Sequence, residues 1–254
     1  MPKEPAFADL DAEAFPNINQ MDSSGSCVLF DQSYQLDPTQ PIFSKAYWEN
    51  QQAITGSASG RGTTLFLRHQ QWDLILRPYL RGGLPGKILT NQFFFTGYKK
   101  TRAWQEFLLL LKMLELDLPV PKPVAAGISR FGLIYHNNIL ILRIPGAKDL
   151  HAILCQQSLN EEQWSTIGRT IRKFHDHQVY HHDLNIRNIM LDNDDRPWLI
   201  DFDKCGIRTG DPWKQQNLQR LHRSLVKEQT KNNPFYWDEA HWQHLLSGYH
   251  AKFG

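Results

Sequence analysis

The hydrophobic pattern of this chain changes period once, and that change limits the fold more than any other feature. From about residue 47 to 145 the apolar positions read mainly as strands. TTLFLRH (63–69) and WDLILRPY (72–79) are partly alternating apolar runs separated by two glutamines, the pattern of an antiparallel hairpin. FGLIYHNNILILRIPG (131–146) predicts a second hairpin turning at His136–Asn138. Between them, TRAWQEFLLLLKMLEL (101–116) carries Trp104, Leu108, Leu111 and Leu114 at helical spacing, and the prolines of PVPKP stop it. From 146 onward the period is helical. In EEQWSTIGRTIRKFHDHQ, Trp164, Ile167, Ile171 and Phe174 form one stripe, and WKQQNLQRLHRSLVKEQTK is a further helix with Pro212 near its first turn. Two short strands, IML (189–191) and WLI (198–200), interrupt this half and are joined by the turn DNDDRP.

This order gives an α+β chain in two lobes joined near Arg143–Lys148, with a cleft expected between them. The expected divisions are an N-terminal arm (1–40) with one or two short strands, a strand-rich lobe with one main helix (41–144), and a mainly helical lobe (145–254). The sequence has 254 residues, 41% hydrophobic and 21% charged, ordinary for a globular protein that buries a core. A net charge of +2 points to no nucleic-acid partner, and nothing indicates an obligate protein partner. Cys27, Cys155 and Cys205 are odd in number and far apart, which argues against a disulfide framework and for a reducing compartment. The acids and prolines of the first sixteen residues do not read as a signal peptide, and no apolar run approaches the roughly eighteen residues of a membrane span. A cytoplasmic location is expected.

The chemistry gathers in HHDLNIRN (181–188) and IDFD (200–203). Phosphoryl transfer needs an orienting group for the attacking hydroxyl, oxygen ligands for Mg²⁺, and cations around the phosphates. Mg²⁺ usually takes only one or two ligands from protein. A loop presenting Asp183 to the acceptor and Asn188 to metal meets two of these needs. The strand–turn–strand between 188 and 201 would bring Asp201 to the same metal. His175, His177, His181 and His182 match no familiar zinc framework, and Asp192, Asp194 and Asp195 read as solvated turn acids.

His181-His182-Asp183-Leu184 through Asn188 resembles the protein-kinase-like catalytic loop H-x-D-L-x-x-x-N, and Asp201-Phe202-Asp203 resembles D-F-G. The order of elements agrees over roughly residues 50–225. More narrowly, LRPYLRGGLPGK (76–87), TRAWQEF (101–107), HHDLNIRNIML (181–191), WLIDFD (198–203) and WKQQNLQRLHRSLVKE (213–228) resemble the 3-deoxy-D-manno-octulosonic acid (Kdo) kinase family of Gram-negative bacteria. The resemblance implies a two-lobed protein-kinase-like fold using ATP and Mg²⁺. It implies Asp183 as catalytic base, Asn188 and Asp201 as metal ligands, His181 as support, and backbone of 141–144, notably Leu142 and Ile144, around the adenine. The implied acceptor is Kdo on lipid A or its precursor, phosphorylated at the 4-hydroxyl at the cytoplasmic face of the inner membrane. Peripheral contact with an anionic membrane surface follows.

The departures narrow the class. GSASGRG (56–62) places glycines at Gly56, Gly60 and Gly62, which is not G-x-G-x-x-G, although it precedes a strand as a phosphate-covering loop should. Arg77 stands where kinases have their phosphate-pairing Lys; Arg77 or Arg81 would take that role, with Glu106 as ion-pair partner. Asp203 replaces the Gly of D-F-G, which suits a fixed metal loop, and no long activation segment follows. These features favour a saccharide kinase. A heptose-type, aminoglycoside or protein kinase, or a nucleotide-binding pseudokinase, are the alternatives. In the helix after Pro212, Leu218, Leu221 and Leu225 form one stripe, while Arg220, Arg223, Lys227 and Lys231 form another on the far side. The second stripe is a solvated face or a basic reader of an anionic acceptor, with Asn185 and Arg187 near the acceptor too. KKTR (99–102) and RGG (81–83) add cations elsewhere, and FFF (93–95) reads as core or as an apolar contact with lipid, core being the expectation.

Overall fold

The computed structural model describes residues 11–59, 63–80 and 91–251. The chain divides into two compact units, one of Ala8–Lys112 with Lys122–Arg143, the other of Met113–Pro121 with Ile144–Gly254.

The first unit is built on an eight-stranded antiparallel sheet. β1 (Ile18–Ser23) and β2 (Ser26–Asp31) form a hairpin that adds to its edge. Helix α1 (Lys45–Asn50) precedes β3 (Ile54–Ser59), β4 (Thr63–His69), β5 (Trp72–Pro78) and the two-residue β6 (Phe93–Phe94). Helix α2 (Arg102–Glu115) leads to β7 (Pro123–Phe131) and β8 (Ile134–Leu142). The spatial order is β1-β2-β7-β8-β5-β4-β3, with β6 also against β8.

The glutamine hairpin forms as read: His69 faces Trp72 across Gln70 and Gln71, and Gln70 takes the left-handed conformation (φ 51°) that so tight a loop requires. Strand alternation then turns Leu65, Leu67, Leu74 and Leu76 inward onto Trp48, whose indole N–H donates to the Ile42 carbonyl at 2.7 Å. Each such side chain contributes about 1.5–3 kcal/mol by leaving water.

Three sequence expectations are corrected here. The second hairpin does not turn at His136–Asn138; β8 runs straight through those residues, and the turn lies at Gly132 (φ 60°) and Leu133. The reason is Asn137. Its side chain is buried, and its Oδ1 accepts from the Ala103 N–H at 2.8 Å, one of the donors that the start of α2 leaves unpaired. In α2 the burial is also broader than one stripe. Ala103, Phe107, Leu109 and Leu110 are buried along with Trp104 and Leu108, while Leu111 and Leu114 are only half-buried. Third, of FFF only Phe93 is core, and Phe94 is exposed.

The second unit opens with β9 (Lys148–Asp149) and α3 (Leu150–Leu154), followed by α4 (Glu161–Asp176) and β10 (Val179–Tyr180). Then come β11 (Ile189–Leu191), β12 (Pro197–Leu199), β13 (Gly206–Ile207), α5 (Pro212–Gln229) and α6 (Glu239–His250). β9, β11 and β12 form one small sheet, β10 and β13 another. α4 begins with a reciprocal cap between Asn160 and Gln163, and α6 with one between Asp238 and His241. The two helices pack backbone to backbone. A Cβ on Gly168 would lie 2.0 Å from the Leu245 carbonyl oxygen, and one on Gly248 would lie 2.0 Å from that of Ser165. Only glycine fits either place.

Candidate active site

The loop 181–188 leaves β10 and enters β11, so it hangs between two short strands that could not hold it by themselves. Side chains from beneath hold it. Asn217 of α5 is 2% exposed; its Nδ2 donates to the His181 carbonyl at 3.0 Å, and its Oδ1 accepts from the His181 N–H at 3.3 Å. The buried His181 imidazole accepts the Asp183 N–H at Nδ1 (3.2 Å), so its own proton sits on Nε2, which donates to the Ile200 carbonyl at 3.0 Å. Burial holds the His181 pKa below its ordinary value and keeps the ring neutral, as this pattern requires. Phe202 packs on the ring at 5.0 Å and stacks on Phe174 of α4.

Asp183 and Asn188 are joined directly: Asn188 Nδ2 donates to the Asp183 carbonyl at 2.9 Å, as does Asn185 Nδ2. The Asn188 carbonyl accepts the Ile200 N–H at 3.1 Å, and Ile189 faces Leu199, so the β11–β12 hairpin sets Asn188 beside the residue preceding Asp201. Asp201 is left-handed (φ 64°), as is Lys204 (φ 61°). Asp203 is not among the residues with positive φ, so replacing a glycine there costs no backbone strain.

An amide oxygen and a carboxylate are hard oxygen donors of the kind Mg²⁺ takes. With its nitrogen committed to the loop, Asn188 has its Oδ1 for a cation, so the residues present fit such an ion. Of the four histidines considered for zinc, two are engaged otherwise: His175 Nδ1 pairs with the Tyr249 hydroxyl at 2.8 Å, and His181 as described.

Beside Asp183 lies an open groove lined by Asn185, Arg187, Arg220, Arg223, Lys227 and Glu228. The Asp183 carboxylate is 54% exposed and accepts from Arg220 Nη1 at 2.9 Å. Arg187 is braced by Glu228 (3.1 Å) and by His151 Nε2 (2.9 Å), and its N–H donates to Asn185 Oδ1. Burial raises the Glu228 pKa, but Asn232, Arg187 and His151 outweigh it and keep the carboxyl ionised. Leu218, Leu221 and Leu225 occupy the buried face of α5, which turns Arg220, Arg223 and Lys227 into this groove; Lys231 lies beyond the end of the helix. The structure thus gathers Asp183, Asn185, Arg187, Arg220 and Arg223 in one place.

In the sheet unit Arg77 Nη2 donates to Glu106 Oε1, and the Tyr79 hydroxyl donates to Glu106 Oε2, each at 2.5 Å. Glu106 is buried on α2, so the guanidinium of β5 is anchored from the helix. Gly56 lies inside β3 beside a bulge, not in a loop; Gly60, Gly62 and Arg81 with RGG (81–83) lie outside the described residues. Leu142 ends β8 with its N–H given to the Lys122 carbonyl, and the Arg143 N–H goes to the Asp73 carbonyl, so both of these donors are engaged within the sheet unit. Ile144 begins the second unit, half-buried.

Four supporting residues escaped the sequence reading. Asn217 and Asn137 are polar residues in otherwise amphipathic elements, a signal that a buried backbone group needs a partner, but their partners are distant in sequence. Tyr79 stands two positions after Arg77 and shares its carboxylate partner. Asp192 is no solvated acid: its carboxylate accepts from the Asp194 N–H (2.9 Å), the Arg196 N–H (3.0 Å) and the Trp198 indole (2.9 Å). Burial raises its pKa, yet these donors pull it below the usual carboxylate range. Asp192 shapes the turn that sets the distance from Asn188 to Asp201.

Comparison with known proteins gives a consistent answer. Residues 45–249 match the model of the lipopolysaccharide kinase (Kdo/WaaP) family. A 3-deoxy-D-manno-octulosonic acid kinase of Photobacterium profundum is 44% identical over 222 residues, 87% of this chain and 94% of that protein. One of the same name from Haemophilus influenzae (strain 86-028NP) is 42% identical over 241 residues, 92% of this chain and 100% of that protein. One from Vibrio cholerae serotype O1 is 44% identical over 204 residues, 80% of this chain and 87% of that protein.

Proposed function

This chain belongs to the lipopolysaccharide kinase (Kdo/WaaP) family, and from that premise we propose that it is an ATP-dependent kinase that phosphorylates the 4-hydroxyl of Kdo on lipid A or its precursor during lipopolysaccharide core synthesis. The observation that carries this reading is the exposed Asp183 carboxylate at the end of a groove lined by Arg187, Arg220, Arg223 and Lys227. Kdo carries a carboxylate and lipid A carries phosphates, so arginine forks and a lysine are suitable readers of the acceptor.

In this reading Asp183 accepts the proton of the acceptor hydroxyl. Arg220, its ion-pair partner, fixes the carboxylate rotamer and can also meet the acceptor carboxylate. His181 and Asn217 hold the loop backbone so that Asp183 does not drift. Asn188 and Asp201 hold Mg²⁺, which when bound draws the nucleotide phosphates into place and offsets their charge. Arg77, anchored by Glu106, or Arg81 pairs with nucleotide phosphates. The glycines 56, 60 and 62, with backbone near Leu142 and Ile144, belong to the nucleotide side, where Ile144 is the better donor since the Leu142 N–H is engaged. The unit containing the sheet would serve the nucleotide, the helical unit the acceptor. An acceptor of this kind places the protein at the cytoplasmic face of the inner membrane, held peripherally; no described helix is long and apolar enough to cross it.

The test is turnover with Mg-ATP on a Kdo-lipid A acceptor, a heptosylated acceptor, an aminoglycoside and a protein, with Asp183→Asn alongside. Phosphate should appear on the Kdo acceptor, and the variant should lose on the order of 10²–10⁴ in rate. Transfer to protein but not to saccharide would sink the reading.

A further inference from the structure

We propose that the tip of the β7–β8 hairpin, together with β6, is a docking surface for an anionic lipid bilayer. The proposal builds on the membrane-bound acceptor proposed above and assigns the contact to particular residues.

Among the described residues the large apolar side chains most open to solvent are Leu133 (77%), Phe94 (71%) and Phe131 (59%). They are neighbours. Phe131 and Phe94 both stand opposite Ile134, one on each side of β8, so the three residues form one row across three strands. Cross-strand partners project from the same face of a sheet, which makes this row a single apolar strip. Leu133 occupies the turn at its end, its carbonyl accepting the Phe95 N–H at 2.9 Å. The next row, Arg130, Tyr135 and Phe93, faces the other way, and there Tyr135 and Phe93 are buried. An antiparallel sheet with one face in water alternates apolar inside with polar outside. Here the outer row is apolar as well, which the core does not require.

The rim of the strip is cationic. Arg130 donates from Nε to the Gly132 carbonyl in the turn at 2.9 Å and lies 4.7 Å over the Phe95 ring. Lys99 and Lys100 are exposed in the short helical turn Tyr98–Lys100 that follows β6, with Asp11 paired to Lys99. Aromatic and leucine side chains that enter the headgroup boundary, ringed by cations that meet anionic headgroups, are what binds a protein peripherally. A second copy of the chain fits less well, because it would set this cationic rim against itself. Three side chains are also fewer than a stable protein interface uses.

The test uses the full chain with vesicles of phosphatidylethanolamine and phosphatidylglycerol, against vesicles of phosphatidylcholine, in a flotation assay without ATP or acceptor. A failure of the kinase reading therefore leaves this measurement intact. The parent should float with the anionic vesicles, less so at high salt. Phe94→Ser/Phe131→Ser/Leu133→Ser should lower the partition coefficient at least tenfold while keeping the parental melting temperature. As a gain of signal, Leu133→Trp should be quenched by brominated acyl chains. Unchanged partitioning of the triple variant, or an unquenched Leu133→Trp, would overturn the proposal. So would a concentration-dependent dimer of the parent that the triple variant loses.

Discussion

Replacing Asn217 by Ala tests whether the loop 181–188 is held by one side chain. The change removes the donor to the His181 carbonyl (3.0 Å) and the acceptor of the His181 N–H (3.3 Å) in a place where neither group can reach water. Each buried backbone group left unpaired costs about 1–3 kcal/mol. With partial relaxation of the site, the sum is roughly 3 kcal/mol, a large part of the ~5–15 kcal/mol total of a natural domain. At about 2–4 °C per kcal/mol for a chain of this size, the melting temperature should fall by roughly 6–12 °C. Urea unfolding followed by tryptophan fluorescence gives the same quantity as a lowered midpoint with an unchanged slope. Asn217→Leu separates the hydrogen bonds from the volume. It fills the site but offers no polar atom, so it should be no more stable than Asn217→Ala. A loss below about 1 kcal/mol for Ala, or parental stability for Leu, would show that the clamp does not hold the loop.

Further outcomes follow from the same geometry. Burial pushes the His175 pKa down from 6.5 to about 4, so as pH falls between those values the unfolded chain takes up a proton that the folded chain refuses. That coupling removes about 3 kcal/mol of stability across the window; His175→Gln should flatten the fall in urea midpoint from pH 6.5 to 4, and an unchanged slope would reject the assignment. Gly168→Ala forces α4 from α6 and should cost about 2–3 kcal/mol, far more than the ~1 kcal/mol gained in helix propensity; a raised melting temperature would contradict the close approach. Arg223→Glu and Lys227→Glu should raise the KM for an anionic acceptor tenfold or more while leaving the KM for ATP alone; equal effects on both would remove the groove from acceptor binding.

What the sequence disclosed was local in origin. The β4–β5 hairpin, α4 and α5 follow from period, and the residues of 181–203 follow from spacing, because each signal lies within twenty or so positions. The β7–β8 turn was misplaced because His136–Asn138 is the most polar stretch of that run. Asn137 is polar to serve Ala103, 34 residues earlier. Asn217 likewise answers a need 36 residues away, and Gly168 and Gly248 make sense only together. The β1–β2 hairpin gave little signal, since an edge strand such as β1 has most of its side chains in water. The groove was half legible: the two faces of α5 were readable, but that its basic face meets Asp183 depends on where the loop sits.

The contact between α4 and α6 has a consequence for that position. Side-chain interfaces yield gradually, because methyl groups can be traded and rotamers shifted. Two backbones touching through glycine cannot; they act like a mechanical stop. α4 runs from that stop into β10, and Asp183 comes three residues after β10 ends. The height of the loop 181–188 is therefore gauged by α6, more than fifty residues downstream of Asp183.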